Sequence, residues 1–149
     1  MTRTEPVRVA GYGPVMDTLT GTATFSSWDE DPAHDSGAPV PRLAHATAAF
    51  AYDGDLVGTS TCQYVLHYTD DAGGVAVGIE RLDVRLGDGG PEGAAALRHE
   101  TRFGAGGVDV AWSVVPGSGT GALAGLSGTG GFSAPPEGKE WTWRLEREG

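Results

Sequence analysis

Apolar and polar residues alternate with period two along most of the chain, and no long window carries the i, i+3, i+4 spacing of an amphipathic helix. The alternation predicts eight strands, at 19–28, 42–52, 56–68, 75–86, 94–103, 108–115, 129–133 and 140–147. Turn-forming residues cut them apart at 53–55, 70–74, 87–93, 104–107 and 135–138. The best helical stretch, around Ala122 to Leu126, is a single turn and too short to stand alone. Consecutive antiparallel strands with almost no helix predict an all-β domain. An eight-stranded up-and-down barrel is preferred to a sandwich because closure removes exposed edges. Such a barrel holds one small ligand in its lumen. Residues 1–18 show no period and read as an irregular lead-in, leaving 19–149 as a single domain.

The same alternation says which residues face inward. In the third strand the even positions Cys62, Tyr64, Leu66 and Tyr68 form the apolar face. In the fourth the even face carries Gly78, Leu82 and Val84, with Glu80 as a misfit. In the fifth the odd face runs through Leu97 and Phe103, with His99 as its misfit. Val110, Trp112 and Val114 point inward from the sixth, and Trp141, Trp143 and Leu145 from the last. Hairpin symmetry gives an expected register. Centring the turns on Ala72, on Gly89 and Gly90, and on Ala105 and Gly106 pairs Tyr64 with Glu80, Glu80 with His99, and His99 with Trp112. One lateral row, Tyr64, Glu80, His99, Trp112, is therefore expected, and a β-bulge would break it.

Composition narrows the function classes. Twenty-five glycines among 149 residues suggest disorder at first, but four Trp, four Tyr and four Phe lie within the alternating segments, so the glycine is expected at turns and close strand approaches. A net charge of -10 makes a nucleic-acid partner a poor fit. One cysteine excludes an intramolecular disulfide framework. With neither a secretory h-region nor a run of about 20 apolar residues, the default expectation is a cytoplasmic bacterial protein away from membranes. Oligomeric state stays open, with a homo-oligomer among the alternatives.

Glu80 and His99 on otherwise apolar inward faces are an expected acid/base couple, with Tyr64 as hydrogen-bond donor. The bland alternative is a mutually satisfied polar network that fixes register. Tyr68, Cys62, Gly78, Leu82, Phe103, Trp112, Trp141 and Trp143 are the expected ligand-lining residues, Cys62 as a small buried hydrophobe. Gly78, two positions from Glu80, would leave room beside the carboxyl group. Residues 29–35, with four carboxylates and His34, read as a solvated acidic loop matching no metal-site spacing, and His45 and His67 as ordinary surface histidines. Gly119 to Ala124 fits a dinucleotide fingerprint formally, but only 25 residues follow it, too few for the rest of that fold. No cofactor and no metal is expected.

Phe25-Ser26-Ser27-Trp28-Asp29-Glu30, Gly78-Ile79-Glu80-Arg81, and Trp112 through Val115 followed by residues 116–126 resemble the bacterial family called domain of unknown function 3224, in order from about Gly21 to Glu146. That family is similar to the allene oxide cyclase barrel, so the resemblance implies eight strands around a central cavity. It brings no catalytic residues. The wider barrel group includes cofactor-free cyclases and non-catalytic dirigent proteins. The leading expectation is thus a cofactor-independent cyclase or isomerase acting on a small hydrophobic molecule in the lumen. A carrier of an apolar molecule and a filled structural barrel are the alternatives.

Overall fold

The computed structural model describes residues 16–34, 36–135 and 140–148. The expected lead-in therefore lies mostly outside the described residues, as does most of the turn at 135–138. Nine strands run in order: β1 (Met16–Asp31), β2 (Arg42–Gly54), β3 (Leu56–Tyr68), β4 (Gly74–Leu86), β5 (Glu92–Gly104), β6 (Gly107–Val114), β7 (Thr120–Gly121), β8 (Gly128–Ala134) and β9 (Glu140–Glu148). There is no helix among the described residues. β1 begins three residues before its expected start, and β7 is a two-residue strand that the alternation does not reveal.

Eight of the strands close on themselves. The ladder β4-β3-β2-β1-β9-β8-β6-β5 is joined by β4 to β5, every pairing is antiparallel, and β7 attaches to β5 outside the ring. The protein is an eight-stranded antiparallel barrel with one short extra strand. Inward positions follow the expected parity: Cys62, Tyr64, Leu66 and Tyr68 on β3, Glu80, Leu82 and Val84 on β4, Leu97 and His99 on β5, and Trp141, Trp143 and Leu145 on β9 are all buried.

Register departs from expectation in two hairpins. Tyr64 pairs with Gly78 and Cys62 with Glu80, because an Asx turn in which Asp70 Oδ1 accepts from the N–H groups of Ala72 and Gly73 centres that hairpin on Asp71. His99 pairs with Gly78 and Glu80 with Leu97, because Leu86 N–H donating to Pro91 O and Gly90 N–H to Gly87 O shift the next turn toward its N-terminal side. Only His99 with Trp112 stands as expected. Each slip is two residues, so faces are preserved while neighbours change. The lateral row is Tyr64, Gly78, His99, Trp112, and Glu80 lies one row over.

The two ends of the barrel differ. The connection from β6 to β8 folds back through short turns, with Leu123 N–H bonded to Thr120 O and Leu126 N–H to Leu123 O, and Leu123 and Leu126 join the core. Ser118 Oγ ties this segment to the strands by donating to Val115 O at 2.7 Å and accepting from Ala96 N–H at 3.0 Å. The glycine-rich 117–126 stretch closes that end. The opposite end, where β1 runs into β2 and the turns 69–73 and 104–107 lie, is open.

Candidate functional site

A bulge in β1 builds the open end. Phe25 pairs with Phe50 and Ser27 with Ala49, which leaves Ser26 as the extra residue. Before the bulge the odd positions face in, and after it Trp28 and Glu30 lie opposite the inward Ala48 and Ala46. Phe25, Trp28 and Glu30 thereby share one face. The small side chains Ala44, Ala46 and Ala48 on β2 make space for the rings arriving from β1 and β3.

That space is a cavity of about 410 Å³. Its wall is mostly aromatic and aliphatic. Phe25 packs against Phe50 and Trp141, with centroids 5.1 and 4.8 Å away, and Phe132 stacks on Trp141 at 4.7 Å and 16°. Trp28 leans on Tyr64 at 5.6 Å, and Tyr68 meets Phe103 edge to face at 5.2 Å. Phe25 and Trp28 are 45% and 44% exposed, so the apolar wall reaches solvent. At the rim Glu30 accepts from Trp28 Nε1 at 3.0 Å and from the Tyr68 hydroxyl. His34 Nδ1 lies 3.3 Å from that hydroxyl, and the Arg42 guanidinium sits 4.1 Å above the Tyr68 ring. Burial, then the bond to Glu30, holds the Tyr68 hydroxyl well above its ordinary value, so it stays a donor.

Beneath the cavity lies a polar knot. Glu80 and His99 are both 0% exposed. Glu80 Oε2 accepts from the hydroxyls of Tyr52 and Ser60, each at 2.5 Å, and Glu80 Oε1 stands 2.6 Å from His99 Nε2. His99 Nδ1 is 3.0 Å from the Tyr64 hydroxyl. The geometry suits an imidazole with its proton on Nε2, donating to the carboxylate and accepting from Tyr64. Burial is the first cause that raises Tyr52 and Tyr64, with Glu80 next for Tyr52 and Cys62 ahead of Glu80 for Tyr64. Burial also pushes the Cys62 thiol up to about 12. All three remain protonated at neutral pH.

Tyr64, Tyr68, Phe103 and Trp141 line the cavity, and Tyr64 is the expected catalytic residue that reaches it. Glu80, His99, Cys62, Leu82, Trp112 and Trp143 lie in the core away from the cavity lining, with Glu80 and His99 behind Tyr64. Gly78 opens no space beside the carboxyl group. A Cβ there would stand 2.9 Å from Tyr64 Cδ1, so the tyrosine ring occupies the room, which is how Tyr64 reaches His99 across the intervening strand. Sequence reasoning missed Phe25, Trp28, Phe50, Thr101 and Phe132. It also took Glu30 as solvated with its acidic neighbours, whereas the bulge turns Glu30 into the cavity wall and leaves Asp29 and Asp31 exposed. The signal available was Phe25-Ser26-Ser27-Trp28, two large aromatics at odd separation, which no unbulged strand buries on one face. No group of three or more His, Cys, Asp or Glu among the described residues stands together as a metal site.

Comparison with curated proteins finds no match. Among solved structures, the crystal structure of a protein of unknown function of the DUF3224 family from Shewanella oneidensis MR-1 superposes with a TM-score of 0.65. It is 22% identical, and the alignment covers 89% of this chain and 97% of that one, a likeness that carries the fold. The family model described as Protein of unknown function (DUF3224) matches residues 19–146, nearly the whole barrel. The chain belongs to the DUF3224 family.

Proposed function

We propose that this protein binds a small, largely apolar molecule in the open end of its barrel. The observation that carries the reading is the aromatic-walled cavity of about 410 Å³, whose size and apolar lining suit a compact ligand. Filling it removes the exposed parts of Phe25 and Trp28 from water, at about 25 cal/mol per Å² of apolar surface. The neutral dye N-phenylnaphthylamine tests it directly. Saturable dye fluorescence is expected, with energy transfer from tryptophan, and with Ala134→Trp, which fills the wall, weakening it at least tenfold. Absence of saturable binding to the unaltered protein would overturn the reading.

A second reading, cofactor-free isomerisation or cyclisation in the same cavity, is favoured by one observation: the hydrogen-bonded chain from Glu80 through His99 ends at Tyr64, a cavity-wall residue. In this reading Tyr64 is the group that meets the ligand, while Glu80 and His99 hold its proton and position it. Tyr64→Phe then keeps dye affinity within about twofold while turnover of any compound the protein converts falls about 100-fold or more. Equal turnover by the variant would leave binding alone.

A further inference from the structure

We infer that the cavity takes an apolar amine, with its cationic nitrogen at the rim against the Glu30 carboxylate and its apolar body within the aromatic wall. This rests on the cavity-binding reading above and adds the class of ligand. Eight of the seventeen described residues that line the cavity are Phe, Tyr or Trp, and Glu30 is the one acid among them. Each oxygen of its carboxylate is held by one neutral donor, Oε1 by Trp28 Nε1–H at 3.0 Å and Oε2 by the Tyr68 hydroxyl. Both donors belong to the cavity wall, so the carboxylate is fixed at the mouth. Each of its oxygens keeps a lone pair for a further donor. Among the described residues no Arg, Lys or His forms an ion pair with Glu30.

That charge decides what the mouth accepts. Glu30 is only part-buried, and a ligand that fills the cavity to the rim takes water from its carboxylate. Two neutral dipoles do not replace a counter-charge. A hydrocarbon leaves the lost hydration uncompensated, and a carboxylate ligand adds repulsion. A cation offsets it, because opposite charges attract more strongly as water is excluded. The aromatic wall suits the same ion, since ring faces carry negative charge and attract ammonium groups. The net charge of -10 favours the approach of a cation from solution. Arg42 brings a like charge to this corner, 4.1 Å over the Tyr68 ring, but it stands outside the cavity lining, and the exposed carboxylates Asp29 and Asp31 flank Glu30 in the chain.

The experiment uses naphthylethylamine, naphthylethanol and naphthylacetate, near-equal in shape, as displacers of N-phenylnaphthylamine from the full chain at about pH 8, where an alkyl amine keeps its proton as a lysine side chain does. The amine is expected to displace the dye at a concentration at least about tenfold below that of the acetate, the scale of one charge-assisted contact. Glu30→Gln, which keeps the shape and removes the charge, should raise the amine concentration needed about tenfold while leaving the alcohol within about twofold. Asp29→Asn removes an equal charge from an exposed neighbour and should leave the amine within about twofold. Equal displacement by amine and acetate, an amine affinity untouched by Glu30→Gln, or an equal loss in Asp29→Asn would overturn the inference while dye binding stands. A dye that fails to bind the unaltered protein overturns the cavity reading itself, so the two failures are distinct.

Discussion

Glu80 is a fully buried carboxylate with three donors, Tyr52, Ser60 and His99, and its burial is tolerable only because all three are in place. The same burial leaves a pH signature. Tyr52 and Tyr64 are held above the ordinary tyrosine value of 10.0, and Cys62 is raised from 9.0 to about 12, so the folded chain keeps protons that the unfolded chain gives up. Stability from these groups is whole below the unfolded values and declines as pH rises past them. The urea midpoint should fall from about pH 9 upward as Cys62 and then the tyrosines ionise in the unfolded chain, and Tyr52→Phe should flatten the part above about pH 10. A midpoint constant to about pH 11 would contradict this. Both misfits on the inward faces, Glu80 and His99, were legible in the sequence, since a charged residue in an apolar stripe marks itself. That Tyr52 and Ser60 complete their bonds was not, because Tyr52 lies two strands away on β2 and Ser60 comes beside Glu80 only in the register that β3 and β4 adopt.

At the level of strands, faces were legible and neighbours were not. Alternation along one strand decides which side chains point inward whatever lies next door, whereas pairing depends on where each turn closes. The Asx turn at Asp70 and the bonds around Gly87 to Pro91 each moved a hairpin by two residues. The result places Gly78 between Tyr64 and His99, with its would-be Cβ 2.4 Å from Gln63 O and 2.9 Å from Tyr64 Cδ1. Gly78→Ala is therefore expected to push β3 and β4 apart locally, destabilising the protein by about 1–3 kcal/mol in urea unfolding and displacing Tyr64 from His99. A neutral effect on unfolding would show that the strands absorb the methyl group and that Tyr64 does not depend on the gap. The bulge at Ser26 has the opposite legibility: Phe25 and Trp28 at odd separation announce it, and it is the feature that brings both rings and Glu30 to one wall.

Across the whole barrel the lumen is divided along its axis. Leu123 and Leu126 close one end, the Glu80–His99 knot sits between, and the aromatic cavity occupies the other end with Tyr64 shared by knot and cavity. The glycine-rich stretch 117–126, which resembles a nucleotide-binding fingerprint by spacing alone, is thus a closing segment whose Gly119 lies where a Cβ would meet Leu123 O at 1.9 Å. The sequence by itself determined the strands, the inward faces and the barrel class, because period-two alternation and turn residues act over a few neighbouring positions. Only the tertiary structure decided the register, the partners of Glu80 and the place of the cavity. Those depend on turn closure, on one bulge, and on the volume left over when side chains from all eight barrel strands meet, and no local window of sequence contains that sum.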